Sequence, residues 1–320
     1  MKILLFGKNG QVGRELQRAL APLGEVVALD RHGQDGLCGD LSDPDGLRQT
    51  VATLKPQLIV NTAAYTAVDK AESEPELAQR INARAPGLLA EAASELGALL
   101  VDYSTDYIFD GNGERPWRED DPAAPVNIYG HTKWQGEEAI RAANPHHLIL
   151  RTQWVYAARG KNFLATMLRL ASERDRLQVV DDQIGAPTSA GLIADVSVHA
   201  IRGVIRRADL AGVYHLTASG ETSWHGYARY AIQTARELGW PIRVEDEAIE
   251  AVPSSAFPTP ARRPQNSRLA LDRIEQAFEL QMPDWRAGVE RAVNEMCGSG
   301  VPAANKIKYE RLHENKTGNE

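Results

Sequence analysis

The sequence predicts an α/β protein built on a doubly wound parallel sheet, and three observations carry that prediction. Short apolar runs alternate with longer amphipathic stretches through the first half of the chain. The first run leads directly into three spaced glycines and a helix pattern. Polar clusters follow the apolar runs, at the carboxyl ends of strands, where such sheets place their ligands.

Ile3 to Phe6 is wholly apolar, as a strand buried on both faces must be. Next come Gly7-Lys8-Asn9-Gly10-Gln11-Val12-Gly13 and an amphipathic helix with Val12, Leu16, Ala19, Leu20 and Leu23 on its apolar side. The first glycine permits a tight turn and the second lets backbone N–H groups approach a pyrophosphate. The third lets the helix pack close to the strand with its N-terminus towards the phosphates. Glycine triplets alone are common in flexible turns. Strand, glycines and helix together predict a Rossmann-type dinucleotide site that includes Gly7, Asn9, Gly10, Gln11, Val12 and Gly13.

Glu25 to Leu29 is the second strand and runs into Asp30, 23 residues after Gly7. An acid roughly 20 residues into such a unit meets the adenosine ribose. A carboxylate there favours the free 2′-hydroxyl of NADH, whereas the adjacent Arg31 suits the 2′-phosphate of NADPH, so both cofactors stay open. A turn or cap role is the competing reading of Asp30. Gly39-Asp40-Leu41 is expected beneath the adenine, with Asp40 accepting from its amino group, before a helix from Asp43-Pro44 to about Leu54. Gln57 to Thr62 is the third strand and ends in Ala63-Ala64-Tyr65-Thr66, small enough for backbone to approach a cofactor. A helix from Glu74 to Leu96 and a strand from Ala98 to Tyr103 follow.

Ser104-Thr105-Asp106 therefore stands at the carboxyl end of a central strand, where a hydroxyl can bond a substrate oxygen. Thr105 satisfying its own backbone is the plainer alternative. Tyr129 and Lys133 lie four residues apart in a helix from Asn127 to Ala143, on one face and one turn apart. A neighbouring ammonium stabilises phenolate and lowers a tyrosine from its usual value of about 10. Such a pair exchanges a proton with a carbonyl/alcohol couple.

Phe109 to Asn127 is a Gly/Pro/acidic loop of the kind that borders active sites, its acids read as a solvated face. His146 to Arg151 returns as a strand and leads to Trp154, a core or rim residue that in a sugar enzyme would stack on the ring. The rest reads as helices over 162–174, 191–207 and 222–238, strands over 177–180 and 212–216, a proline-rich stretch over 253–264, and a final helix over about 284–296. The division expected is a nucleotide-binding domain over 1–156, completed by parts of 177–218, and a smaller C-terminal α/β substrate-binding region over 157–298. Residues 299–320 are polar and aperiodic, and read as a flexible tail.

At 43% hydrophobic and 25% charged residues the chain has ample material for a core. Its net charge of −7 lacks the basic face of a nucleic-acid binder, and no apolar run is long enough for a bilayer. Cys38 and Cys297 imply no disulfide framework, and a cytoplasmic location is expected. The histidines show no metal-ligand spacing.

The nucleotide platform, the strand-end hydroxyl and the Tyr-x-x-x-Lys helix together resemble the extended short-chain dehydrogenase/reductase superfamily. FGKNGQVG (6–13), NTAAYTAVDKAE (61–72), STDYIFDG (104–111), NIYGHTKWQGE (127–137), RTQWVY (151–156), DDQIGAPTSA (181–190), YHLTASGETSWHGYA (214–228) and RRPQNSRL (262–269) narrow the resemblance to the dTDP-4-dehydrorhamnose reductase family, over residues 1 to about 296. It implies hydride transfer from NADPH or NADH to the C4 ketone of a dTDP-sugar. Tyr129 would be the proton donor, Thr105 would orient the carbonyl, and Lys133 would hold the nicotinamide ribose and depress the Tyr129 pKa. Asn9, Gly10, Gln11, Val12, Asp30, Asp40, Leu41, Ala64, Tyr65 and Thr66 would contact the cofactor. Thr105, Asp106 and Trp154 would position the sugar, with Arg263 and Asn266 at the diphosphate or nucleoside unless that loop satisfies itself.

Some members of that family dimerise through Mg²⁺ held by glutamates. Glu15 would be one ligand, but Ala190-Gly191 offers no second carboxylate, which argues against a metal and leaves monomer or homodimer open. Two competing functions share these motifs. A sugar-nucleotide epimerase or dehydratase would regenerate its cofactor. A non-catalytic subunit resembling the regulatory beta subunit of methionine adenosyltransferase would bind NADP without turnover.

Overall fold

The computed structural model describes residues 1–300. Its first half alternates strand and helix as β1 (Lys2–Phe6), α1 (Gln11–Leu20), β2 (Glu25–Leu29), α2 (Pro44–Leu54) and β3 (Leu58–Asn61). Three helices follow, α3 (Val68–Ala71), α4 (Pro75–Gln79) and α5 (Ala85–Leu96), then β4 (Leu99–Thr105), α6 (Ile128–Ala143) and β5 (His147–Thr152). The second half holds β6 (Val155–Tyr156), α7 (Phe163–Glu173), β7 (Leu177–Val180), β8 (Ile184–Gly185), β9 (Thr188–Ser189), α8 (Ala190–Arg206) and β10 (Gly212–His215). It closes with β11 (Thr222–Ser223), α9 (Trp224–Glu237), β12 (Ile249–Val252), α10 (Asp272–Phe278) and α11 (Trp285–Gly300).

Six strands form one parallel sheet in the order β10-β5-β4-β3-β1-β2. The order reverses between β1 and β3, so the loops after these two strands open the crevice that a doubly wound sheet offers a ligand. Alternate residues of β1 serve the two faces. Ile3 and Leu5 pack with α1 and α8 through Leu16, Leu20, Ile193 and Ile201. Leu4 and Phe6 pack with α2, α5 and α6 through Leu47, Val51, Leu89 and Ile140. A further core gathers Leu164, Leu168, Tyr227, Ile232, Trp285 and Val289 beneath the parallel pair of β7 and β12.

Side-chain caps fix where several helices begin. Asp43 accepts from the Gly46 N–H at 3.0 Å, Asn127 from Gly130 at 2.8 Å, and Asn162 from Ala165 at 2.9 Å. Each satisfies an amide that the first turn leaves without a partner.

Several expectations need correction. The helix expected over 74–96 is interrupted by a π turn at Arg80–Arg84. Pro86 has no N–H to offer the Asn82 carbonyl and its ring crowds that group, so the chain widens there. β4 runs on to Thr105, which makes the hydroxyl part of the strand. The acids of the 109–127 loop are a solvated face only in part: Glu114 and Asp120 are exposed, but Glu119 and Asp121 are not. Glu119 is 5% exposed and accepts from the His215 N–H at 3.0 Å, while Asp121 pairs with Arg115 at 2.7 Å. β12 and α10 lie in stretches whose periodicity is too short to read. The tail expected after 299 lies beyond the described residues, apart from the end of α11.

Candidate active site

The turn after β1 is shaped by contacts that only glycine allows. Gly7 sits at φ +86°, and the Gly10 N–H donates to its carbonyl at 2.9 Å. A Cβ on Gly13 would lie 2.1 Å from the same carbonyl oxygen, so α1 approaches the strand as closely as backbone permits. The N-terminus of α1 carries no side-chain cap and no acid in its first turn. Its free amides and positive dipole end suit a pyrophosphate, so the residues present fit a dinucleotide.

At the far side of that crevice Asp30 Oδ2 accepts from Asn9 at 2.8 Å and lies 3.7 Å from the Lys8 ammonium, while Oδ1 accepts from the His32 N–H at 2.9 Å. The His32 amide, with Lys8 and Asn9, holds the Asp30 carboxyl below its ordinary range. Asp30 therefore presents a carboxylate that a lysine partly offsets. Asp40 and Leu41 are fixed by the fold itself. Asp40 Oδ1 already accepts from the Ser42 amide and hydroxyl at 2.9 and 2.8 Å, and the Leu41 side chain is buried in the core.

The loop after β3 is held from behind by Asn82 in the π turn. Its Oδ1 accepts from the Tyr65 N–H at 2.8 Å, and its Nδ2 donates to the Tyr65 carbonyl at 3.1 Å and to Thr132 at 3.2 Å. Asn82 thus fixes Ala63, Ala64 and Tyr65 against α6. A Cβ on Gly136 of α6 would meet the Asn82 carbonyl at 2.2 Å, so a glycine lets that helix seat itself. The Tyr65 hydroxyl donates to Glu74 at 2.5 Å, and Thr66 is exposed.

Thr105, Asp106, Tyr107 and Tyr129 meet at the end of β4. The Thr105 hydroxyl lies beside the Tyr129 phenol, donates to Asp106 Oδ1 at 3.1 Å and accepts from the Tyr107 N–H at 3.2 Å. The Tyr129 ring stands edge-on to Tyr107 at 5.6 Å. Burial pushes the Tyr129 phenol up to about 12, opposed by Thr105 and reinforced by Asp106 and Asp102. Burial likewise pushes Asp106 up to about 7, against hydrogen bonds from Ser267 and Thr105, and its Oδ2 has no partner.

Lys133 is buried and paired within the fold. Its side chain is 3% exposed, and its ammonium sits 3.4 Å from Asp102 Oδ2 within the fold. Asn61 donates to the other Asp102 oxygen at 2.6 Å.

The residues expected at the substrate come from loops that the fold brings to neighbouring positions: Asn266 is bridged to Ile184, and Gly185 lies against the Trp154 ring. Trp154 takes φ +44°, a strained value for a bulky residue, and stacks on Trp224 at 3.7 Å with an interplanar angle of 16°. Arg263 donates to both Asp69 oxygens at 3.1 and 2.8 Å, near Tyr107. Asn266 is buried and organises its own loop. Its amide donates to the Arg115 carbonyl at 2.8 Å and accepts from the Arg268 N–H at 3.2 Å, so the self-satisfied alternative describes it better than a free ligand contact. A cavity of about 350 Å³ beside Trp154 is lined by Gln153, Gly185, Thr217, Glu221 and Arg268. Glu15 pairs with Arg18 at 3.6 Å, and no group of His, Cys, Asp or Glu among the described residues gathers in metal-binding geometry.

The family model for the RmlD substrate binding domain matches residues 1–297. The chain belongs to that family. It is 55% identical over 296 residues to the dTDP-4-dehydrorhamnose reductase of Escherichia coli (strain K12), across 92% of this chain and 98% of the relative. A crystal structure of a dTDP-4-dehydrorhamnose reductase from Clostridium acetobutylicum superposes with a TM-score of 0.83 at 35% identity, covering 92% of this chain and 99% of that one. The dTDP-4-dehydrorhamnose reductase of Bacillus anthracis str. Ames, solved in complex with NADP, gives 0.82 at 34% identity, with the same coverage of 92% and 99%. Family membership accounts for the sheet, the glycine turn and the Tyr-x-x-x-Lys helix. Sequence reasoning gave no role to Asn61 and Trp224, although both lie in quoted motifs, and missed Asn82 and Asp102, which lie in none; Pro86 was the one signal pointing to the π turn around Asn82.

One consequence is open to test at the glycine turn. Gly13→Ala is expected to weaken dinucleotide affinity by at least about tenfold, because the new Cβ must displace the Gly7 carbonyl. Titration of NADPH fluorescence reads this directly, with circular dichroism to check that the sheet is retained.

Proposed function

We propose that this chain reduces the C4 ketone of dTDP-4-dehydro-L-rhamnose to give dTDP-L-rhamnose. The observation that carries the reading is the Tyr129 phenol set beside Thr105 and Asp106 at the carboxyl end of a central strand, in a member of the RmlD family. A reduced nicotinamide bound in the crevice supplies the hydride. The residues placed to hold it are Gly7, Asn9, Gly10, Gln11, Val12 and Gly13 at the pyrophosphate, Asp30 with Lys8 at the ribose, and Ala64, Tyr65 and Thr66 along the β3 loop. Asp40 and Leu41 run beneath the adenine, where the Asp40 carboxylate can accept from its amino group.

Tyr129 gives its phenolic proton to the forming alkoxide. A phenol pushed up to about 12 is fully protonated at working pH, which is the state a donor requires. Thr105 orients the carbonyl beside the phenol. Asp106, with one oxygen unpartnered, takes a sugar hydroxyl. Trp154 covers the ring, Arg263 leaves Asp69 to meet the diphosphate, and Asn266 supports that loop. Lys133 secures the base of the site from within α6.

Two regions divide this work: residues 1–156 with parts of 177–218 carry the nicotinamide nucleotide, and residues 157–298 carry mainly the sugar nucleotide. The separate core around Tyr227 and Trp285 supports that division, while Ile274, Phe278 and Met282 join the core of the sheet. The enzyme is read as a cytoplasmic monomer or homodimer; no helix among the described residues is long and apolar enough to cross a membrane. The reading is tested by following NADPH and NADH oxidation with the ketosugar generated in situ by a dehydratase and a 3,5-epimerase. Oxidation that depends on both helper enzymes supports it, and no oxidation despite cofactor binding overturns it.

A further inference from the structure

Asn127 opens the segment that carries Tyr129, and its side chain works in two directions at once. Its Oδ1 caps α6 by accepting from the Gly130 N–H at 2.8 Å, and its Nδ2 donates to the Arg262 carbonyl at 2.7 Å. The residue is 7% exposed, so both bonds are sheltered from water. A helix cap needs only the acceptor, which serine, threonine or aspartate supplies equally well. Asparagine adds a donor, and that donor reaches 135 positions along the chain to the end of the proline-rich stretch.

The chain there is tied down at three consecutive residues. The Ala261 N–H donates to Asp69 Oδ1 at 3.3 Å, the Arg262 carbonyl accepts from Asn127, and the Arg263 guanidinium donates to both Asp69 oxygens. Residues 255–260 before it are exposed. The two straps differ in kind. The Arg263–Asp69 pair must open when the guanidinium turns to a diphosphate, but the Asn127 bond holds backbone and persists. The helix end of the strap is itself fixed. The Ile128 N–H donates to Glu72 at 2.9 Å, and a Cβ on Gly130 would meet the Tyr107 carbonyl at 2.1 Å, so the first turn of α6 has little freedom.

We propose that Asn127 is a positioning residue for the sugar nucleotide: its amide clasps the Arg262 carbonyl to the first turn of α6, which keeps Arg263 in register with Tyr129 while the diphosphate binds. This rests on the reading of Arg263 as a diphosphate contact. A loop held in place beforehand spares binding the cost of ordering it.

The test uses Asn127→Asp and Asn127→Ser in the full-length protein, because both keep a capping oxygen and remove the donor to Arg262. The expected result is a rise of about tenfold in KM for the ketosugar and in Kd for dTDP, the size of one lost hydrogen bond together with a loosened loop. Turnover and NADPH affinity should stay within about twofold of wild type, and Tm should hardly move. Asn127→Ala, which loses the cap as well, should add a drop in Tm. Unchanged KM and dTDP affinity in the folded variants overturn the proposal. So does a fall in turnover at unchanged KM, which would place the effect on Tyr129 itself. If the new charge of Asn127→Asp prevents folding, the uncharged serine variant decides between these outcomes. Binding of dTDP, measured by calorimetry, separates the clasp from the reaction. A wild-type protein that binds dTDP but reduces no ketosugar sinks the proposed reaction, and the dTDP affinities of the variants still decide the clasp. A wild-type protein that binds no dTDP overturns the clasp as well.

Discussion

Tyr129→Phe is expected to lower turnover by roughly 10²–10⁴-fold while leaving NADPH affinity nearly unchanged. The substitution removes one oxygen. The ring keeps its edge contact with Tyr107, so α6 has no reason to move. Thr105 loses its neighbour on that side but retains Asp106. What disappears is the proton that the alkoxide needs, and water is a poor substitute in a site this buried. Steady-state kinetics with cofactor titration separates the two effects. Near-wild-type turnover removes Tyr129 from the mechanism, and a large loss of cofactor affinity would mean that its role is in binding.

Glu137→Gln is expected to destabilise the fold by about 3–5 kcal/mol, the largest effect on stability anticipated for a single change near the site. Arg151 and Glu137 are 2% and 1% exposed. The guanidinium donates to Glu137 through Nε at 3.0 Å and Nη2 at 2.7 Å, and through Nη1 to the Glu119 carbonyl at 3.0 Å. The pair thus ties β5, α6 and the 109–127 loop together. Glutamine preserves the volume but leaves the arginine charge buried with only neutral partners. The exposed counterpart supplies the control: Arg115 is 64% exposed in its pair with Asp121, so Arg115→Ala should cost no more than about 1 kcal/mol. Urea unfolding of both variants checks the contrast. Equal effects would mean that burial is not what makes the Arg151–Glu137 pair matter.

The parts of this fold that were legible in the sequence are those with a local pattern. Ile3 to Phe6 is buried on both faces, so it is apolar throughout, and the glycines after it are required within seven residues of one another. Tyr129 and Lys133 share a helix, so their spacing alone puts them on one face. The unread parts depend on pairing between distant segments. Asp102 meets Lys133 across 31 positions and Asn61 across 41, and neither separation leaves a periodic trace. The same holds for Asn266, whose partners are 151 residues away in the 109–127 loop. Trp154 was read correctly as a strand-end aromatic, but its strained backbone and its stack on Trp224 follow from tertiary packing. Most instructive is the Tyr/Lys pair. Their spacing on one helix is legible, whereas the buried acid that the lysine meets comes from a strand of its own.

The most direct test of the account is the fate of the hydride. The enzyme is supplied with NADPH deuterated at the transferring position of the nicotinamide and with the ketosugar formed in situ, and the product is analysed by mass spectrometry and NMR. The account predicts deuterium at C4 of dTDP-L-rhamnose, one label for each cofactor oxidised. Unlabelled product, or label that stays with the cofactor as in a redox-neutral epimerisation, would contradict it.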